Sequence, residues 1–302
     1  MNAPVMHADP RSVAYLSVEG NAGWPLLNEA QVPVLDRGFV FGDGVYEVVP
    51  VYNGAPFRWP EHRARMVRSL ESLRIADPYD DAAWLEIVGR LAARNAALGT
   101  DLMVYLQVTR GIAKRDHPFP ASSTPTVFGM ANAWAAPAAA MIETGLSAIT
   151  LDDIRWLRCD IKSISLLGNV LARQAAVDAG ANEAIMIRDG LLTEGSSSNV
   201  WLVKSDQLFS PPPDRRLLAG IRIGLLGELA AAAKIPFEAR PVERSELFNC
   251  DELMISGAGR EVMPVTKLDG KPVGDGKPGP VFRALYAGYQ AAKARNAHKD
   301  AA

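Results

Sequence analysis

The sequence predicts an α+β chain of two domains, and three observations predict it. At 302 residues the chain exceeds the commonest single-domain size and can bury two separate cores. Short β-branched and aromatic runs broken by Asn-Gly or other glycine turns signal antiparallel hairpins, with helical periodicity following them. An Ala/Pro-rich stretch then separates the halves. The division expected is a small N-terminal domain over 1–132, a linker over 133–140 and a larger C-terminal domain over 141–302.

The elements follow in order. From "SVAYLSVEGNAGWPLL" to "VYEVVPVYNGAPFRW" the chain reads as hairpins. "PEHRARMVRSLESLRI" (60–75) spaces Met66, Val67, Leu70 and Leu73 on one helical face and puts its basic residues largely elsewhere. "DDAAWLEIVGRLAARNAAL" (80–98) repeats the helical period, and "LMVYLQVTRG" and "TPTVFGM" return to strands. Two helices on an antiparallel sheet are therefore expected. "FGMANAWAAPAAAMI" (128–142) is shorter than the roughly 20 residues that span a bilayer and carries Pro137, so it reads as a linker. The second half gives a strand at "LSAITLDD" and a helix at "LGNVLARQAAVDAG" stopped by Gly180. Strand, turn and strand follow in "EAIMIRDGLLTEGSSSNVWLV", then a helix from Ile221 to Lys234 and strands in "DELMISGAGREVMPVTKLDG". The tail is polar and alanine-rich, and no internal repeat is present.

A net charge of -2 with 22% charged residues offers no field suited to nucleic acid or an anionic membrane, which leaves small molecules as the expected partners. Cys159 and Cys250 form neither a disulfide framework nor a four-thiolate site, and a reducing, cytoplasmic compartment is expected. His7, His62, His117 and His298 show no ligand spacing, so no metal is expected. "MNAPVMHADPRSVAY" lacks a basic segment followed by an apolar one, so export is not expected.

Several stretches carry chemistry-bearing residues. In "LRCDIKSISLLGN" (157–169), Lys162 stands among Ile161, Ile164, Leu166 and Leu167. A lysine there either snorkels to water or loses its proton and becomes a nucleophile. "TEGSSSN" (193–199) sets Glu194 beside N–H and O–H donors suited to an anion, against the alternative of a serine-rich surface loop. In "KRDHPFP" (114–120), Arg115 and His117 point the same way if the chain is extended, and the arginine fork suits a carboxylate; the alternative is a solvated loop. "DRGFVFGDGVYE" (36–47) matches no phosphate-loop or dinucleotide pattern, and its glycines let the chain turn so that Tyr46 points inward. Arg65 shares a helix with Arg63 and Arg68, where a solvated face is the default.

Taken together, "DRGFVFGDGVYEVVPVYNG", "QVTRGIAKRDHPFP", "DDIRWLRCDIKSISLLGNVLARQAA" and "TEGSSSNVW" closely resemble the D-amino-acid aminotransferases of the fold-type IV pyridoxal-phosphate enzymes, from about Val13 to Lys277. The resemblance implies a small N-terminal α/β domain, a C-terminal domain with a β-barrel-like core, and pyridoxal 5'-phosphate in the interdomain cleft. By it, Lys162 would form the Schiff base, Glu194 would keep the pyridine nitrogen protonated, Arg65 would bind the phosphate and Leu218 would pack on the ring. Ser197, Ile221, Arg222 and Gly259 would complete the cofactor contacts. Tyr46, Arg115 and His117 would trap the substrate α-carboxylate, with Ala258 beside them. Arg115 and His117 would reach in from the partner of a homodimer.

The implied reaction moves the amino group of a D-amino acid such as D-alanine to a 2-oxo acid such as 2-oxoglutarate in a ping-pong sequence. Within the same fold, branched-chain L-amino-acid and (R)-amine transaminases and the aminodeoxychorismate lyases are alternatives. A catalytically silent binding protein would be expected to have lost Lys162 or Glu194, and both are present. Two departures stand out: "GIR" at 220–222 in place of a Gly-Ile-Thr turn, and "SGAG" at 256–259 where hydroxyl residues are usual. The Arg222 guanidinium is expected to turn toward the phosphate in their place.

Overall fold

The computed structural model describes residues 9–299. Readings made on residues 1–8, His7 among them, and on the His298 side chain lie outside what is described. The chain forms two compact units. Among the described residues, one comprises those up to Ala135 together with Ile161–Ser165 and those from Arg295; the other comprises Ala136–Asp160 and Leu166–Ala294.

The first unit contains β1 (Tyr15–Val18), β2 (Asn21–Gly23), α1 (Arg37–Phe41), β3 (Gly44–Tyr52), β4 (Ala55–Pro56), α2 (Trp59–Leu73), α3 (Asp81–Arg94), β5 (Asp101–Thr109) and β6 (Thr126–Ala133). The strands make one antiparallel sheet in the order β2-β1-β6-β5-β3-β4. The β3–β4 hairpin turns on Asn53 and Gly54, both with positive φ (50° and 83°), which is the mirror-image turn that matches strand twist and favours Asn-Gly. α3 is started by Asp80, whose carboxylate accepts from the Ala83 N–H at 2.8 Å. It lays Trp84, Ile87, Val88 and Leu91 on a core built from β3, β5 and β6. Each such side chain stabilises the fold by about 1.5–3 kcal/mol through burial.

Three features of this unit depart from expectation. α1 forms where a turn was read, because Asp36 caps it through the Gly38 N–H (2.8 Å) and Gly42 ends it in the left-handed conformation. α2 does not keep its basic residues outside: His62, Arg63, Arg65 and Ser69 are buried alongside Met66 and Leu70, while Arg68 is exposed. Acceptors cause this: the buried Glu47 from β3 for Arg65, and the exposed Asp77 and Asp81, which pair with the inward-lying Arg63 at 2.6 and 2.8 Å. β6 runs to Ala133, inside the stretch read as linker.

The second unit contains α4 (Ala139–Thr144), β7 (Leu146–Asp152), α5 (Leu167–Asp178), β8 (Glu183–Arg188), β9 (Leu191–Gly195), β10 (Asn199–Lys204), β11 (Gln207–Ser210), α6 (Ile221–Ala232), β12 (Phe237–Ala239), β13 (Glu252–Gly257), β14 (Glu261–Leu268), β15 (Lys271–Pro272) and α7 (Pro280–Lys299). Its mixed sheet runs β12-β11-β10-β13-β14-β7-β8-β9, with β15 beside β14. β7 lies parallel to both neighbours, and β9 also approaches β10 across the Gly195–Ser198 turn, so the sheet curls as a barrel does. α6 stops at Ala232, short of the expected Lys234. α7 was not foreseen in the polar tail. Glu252 accepts from the Val281 and Phe282 N–H groups (2.9 and 2.8 Å) at its start, and Val281, Phe282, Leu285 and Tyr289 bury one face. Both cysteines are free and buried. No helix among the described residues is long and apolar enough to cross a membrane.

Candidate active site

In the first unit β3 carries Tyr46 and Glu47, which as strand neighbours project to opposite faces. Residues 161–165 run beside the start of β3. Tyr46 N–H donates to the Lys162 carbonyl (3.0 Å), Ile164 N–H donates to the Gly44 carbonyl (3.1 Å), and Val45 bridges Ser163. The Lys162 N–H donates to Ser69 Oγ on α2 at 3.2 Å. This pins the backbone of Lys162 on both sides and brings its Nζ to 4.0 Å from the Tyr46 ring centroid.

The setting of Lys162 thus differs from the one its sequence neighbours suggested. Ile161 joins the core, but Leu167 is 72% exposed and opens α5. The apolar surface facing the amine is an aromatic ring brought from β3. Tyr46 in turn stacks on Tyr105 with centroids 5.6 Å apart.

On the other face of β3, Glu47 is 1% exposed and takes a two-toothed grip from Arg65, Nε to Oε1 at 2.7 Å and Nη2 to Oε2 at 2.8 Å. His62 Nδ1 meets the same carboxylate at 2.8 Å. Burial would raise the Glu47 carboxyl, but the Arg65 charge and the hydrogen bonds from Arg65 and His62 override it and hold the group well below the usual carboxylate range. The solvated face that is the default for a helix rich in arginine therefore does not hold at Arg65.

Arg115 and His117 lie exposed in the loop after β5. Their side chains approach one ring, Phe41, with the Arg115 guanidinium carbon 5.3 Å from its centroid and the His117 ring 5.7 Å away.

In the second unit Glu194 ends β9 and is 6% exposed. Arg155 Nη1 donates to its Oε1 at 2.5 Å, while Asn199 Nδ2 (3.3 Å) and the Leu218 N–H (3.1 Å) donate to Oε2. Leu218 is thus tied to Glu194 through its main chain. Arg155 also binds Asp153 through Nε and Nη2, both at 2.9 Å, and Asp153 accepts from Thr193 Oγ1 (2.9 Å) and pairs with Arg188 (3.0 Å). Burial opposes charge on both partners, yet the pairing wins: Asp153 is held below its ordinary value and Arg155 above its own. Arg155 was missed as a site residue; its only signal was its place in "DDIRW".

The serines of "TEGSSSN" do not gather round Glu194. Ser196 and Ser198 are buried and donate through Oγ to Glu183, the latter at 2.9 Å, because antiparallel β8 carries Glu183 beneath the turn. Ser197 alone is exposed.

α6 begins at Ile221 after Gly220, with no side-chain cap on its N-terminus. A Cβ on Gly220 would fall 1.9 Å from Asn199 Oδ1, so glycine is required for this approach. Ile221 is buried. Arg222 is 3% exposed, and its Nε donates to the Tyr289 hydroxyl on α7 at 3.2 Å, so part of the guanidinium is committed inside the unit. Ala258 and Gly259 lie in the turn joining β13 and β14, Gly259 exposed.

The chain belongs to the family of class IV amino-transferases, which it matches over residues 44–268. It is 40% identical to a D-alanine aminotransferase of Staphylococcus aureus over 264 residues, 87% of this chain and 93% of that protein. It is 41% identical to one of Bacillus licheniformis over 263 residues, 87% and 92% of the two chains. Among solved structures, a branched-chain amino acid aminotransferase of Escherichia coli superposes with a TM-score of 0.85 at 25% identity, covering 94% of each chain. A hypothetical aminotransferase of Mycobacterium tuberculosis in its PLP-bound form shares the fold, with a TM-score of 0.78 over 93% of this chain and 99% of that one, at 24% identity.

Proposed function

We propose that this protein is a D-amino-acid transaminase that moves the amino group of a D-amino acid such as D-alanine to a 2-oxo acid such as 2-oxoglutarate, with pyridoxal 5'-phosphate as cofactor. One observation carries the reaction class: a lysine amine pinned by its own backbone and presented to an aromatic ring 4.0 Å away. The substrate class rests on the D-alanine aminotransferases that are 40–41% identical over 87% of the chain.

The donor set fits the cofactor. Lys162 offers a primary amine to an aldehyde. Glu194 offers a carboxylate to a protonated ring nitrogen, and an uncapped helix start at Ile221 offers N–H groups to a phosphate. When bound, pyridoxal phosphate supplies the aldehyde carbon that takes up the amino group and a ring that accepts the electron pair released at the substrate Cα.

Lys162 then moves the proton at the substrate Cα, and the Tyr46 ring, itself stacked on Tyr105, covers one side of its amine. Glu194 holds the proton at the ring nitrogen, and Arg155, Asn199 and the Leu218 N–H fix the direction of its carboxylate. Arg65, its fork oriented by Glu47, contributes charge toward the phosphate. Ser197, Ile221, Arg222 and Gly259 complete the cofactor contacts, and Ala258 stands at the substrate side. Tyr46, Arg115 and His117 receive the α-carboxylate, with Arg115 and His117 serving the neighbouring subunit of a homodimer. Exposed apolar side chains such as Phe39 (77%) and Ile154 (72%) supply surface for such a partner to cover. Free buried thiols accord with a cytoplasmic location.

The test adds single D- and L-amino acids to the purified, cofactor-loaded protein and follows its visible absorption, with pyruvate formation from D-alanine measured in parallel. D-alanine is expected to react and L-alanine not. Preference for L-valine or L-leucine would replace this reading with a branched-chain transaminase.

A further inference from the structure

Arg37 does not belong to the groups described so far, yet it is 4% exposed and spends its whole guanidinium on one loop and one acid. Nε donates to Asp43 Oδ2 at 2.7 Å; Nη1 donates to the carbonyls of Asp116 (2.7 Å) and Pro118 (3.4 Å), and Nη2 to that of His117 (3.4 Å). Three successive carbonyls of the loop that carries Arg115 and His117 are thus held by one side chain. Asp43 is shared with Arg110, whose Nε and Nη2 donate to it at 2.7 and 3.0 Å. Arg110 is fixed in turn by the Leu73 and Arg74 carbonyls at the end of α2, and its guanidinium carbon lies 3.7 Å from the Phe119 ring centroid. Phe41 stands over Arg37 at 4.7 Å and touches both Arg115 and His117.

We propose that Arg37, locked by Asp43 and Arg110, is a positioning residue that sets the Arg115/His117 loop, and that Phe41 spaces the two side chains, so that this network governs recognition of the substrate carboxylate. The inference rests on the reading that Arg115 and His117 receive that carboxylate. The chemistry favours it: exposed side chains in the loop between β5 and β6 gain a fixed direction only from what holds their backbone. A planar fork reaching three carbonyls and an acid does this, and a lysine ammonium cannot.

The experiment compares Arg37→Lys, Phe41→Leu, Arg115→Ala and the double variant Arg37→Lys/Arg115→Ala in the loaded enzyme. KM and kcat for D-alanine are measured together with trypsin cleavage at Lys114 and Arg115 and the melting temperature. Arg37→Lys is expected to raise KM for D-alanine by between about tenfold and a hundredfold with kcat changed much less, and to speed cleavage in the loop. The double variant is expected to be no worse than Arg115→Ala alone, because Arg37 acts through Arg115. Should Arg37→Lys fail to fold, Phe41→Leu reads the same KM change while leaving every charged member of the Arg37–Asp43–Arg110 network in place. If Arg115→Ala raises KM while Arg37→Lys and Phe41→Leu do not, or if the two effects add, the positioning role is overturned and the transaminase reading stands. If Arg115→Ala itself leaves KM unchanged, the carboxylate role of the loop fails, and the inference with it.

Discussion

Lys162 and Tyr46 are coupled twice: the Tyr46 N–H donates to the Lys162 carbonyl at 3.0 Å, and the Tyr46 ring faces the Lys162 amine at 4.0 Å. One residue of β3 therefore fixes both the backbone and the side-chain end of the lysine. Lys162→Ala removes the amine and leaves that backbone contact intact. Transamination is expected to fall by at least about a hundredfold, the low end of what a positioned proton-transfer group contributes, while the melting temperature stays near that of the parent. Turnover close to wild type in stopped-flow single-turnover measurements would remove Lys162 from the chemistry.

Glu194→Gln keeps the shape of the side chain and, with its amide oxygen at the Oε2 position, the Asn199 and Leu218 contacts, but removes both the charge and the acceptor facing Arg155. Arg155 retains Asp153 as its counter-ion, so the fold should persist. The expected outcome is a slower Cα proton-transfer step with little loss of bound pyridoxal phosphate. Arg155→Met is the opposite case. It leaves Asp153 and Glu194 buried with one partner fewer, and breaking such a network costs about 3–5 kcal/mol. Denaturant unfolding of the two variants separates them; similar midpoints would show that the Arg155 pairs carry no such weight.

The Glu47 carboxyl is held below its ordinary value, so its contribution to stability is present above the unfolded-state value of about 4.3 and is lost as pH falls from there through the folded-state value. At neutral pH, Glu47→Gln strands the buried Arg65 and should cost about 3–5 kcal/mol. The gap between parent and variant should then narrow in acid, by up to about 1.4 kcal/mol per pH unit. Urea unfolding at pH 7, 5, 4 and 3 measures it, and a gap that stays constant would show that Glu47 is not the titrating group.

These same residues explain what the sequence could disclose. The Asn53–Gly54 turn was legible because its demand for positive φ is local and is written in two letters. The buried face of α2 was not, because whether Arg65 points inward is decided by Glu47, 18 positions away on a strand. Helical periodicity counts apolar residues and cannot see a buried acid waiting for a base. Arg155 was hidden for the same reason, its partner Glu194 lying 39 residues further on. Lys162 drew attention for its apolar sequence neighbours, yet the ring facing it comes from β3. The roles of Tyr46, Lys162 and Glu194 were reached through resemblance across four segments, where no single spacing sufficed.

The last prediction concerns Gly44, where β3 begins and the lysine segment hangs. A Cβ there would fall 2.6 Å from the Val108 carbonyl oxygen, 3.1 Å from Thr109 Cα and 3.1 Å from Ile164 Cδ1. The first two belong to the paired strand β5, and the backbone cannot swing aside as a side-chain end can. The third belongs to the segment that the Gly44 carbonyl holds through the Ile164 N–H. Gly44→Ala should therefore push β5 and residues 161–165 away from β3, at a cost of about 1–3 kcal/mol as in other overpacked sites. Because the Tyr46 to Lys162 hydrogen bond lies two residues along the same contact, kcat should fall with stability. Gly89→Ala is the control. Gly89 lies within α3, where an added Cβ meets nothing within 4 Å, and alanine in place of an interior helical glycine should stabilise by about 0.5–1 kcal/mol with activity unchanged. A Gly44→Ala protein with the melting temperature and kcat of the parent would show that β3 and the lysine segment can part without consequence, and that the backbone anchoring of Lys162 is dispensable.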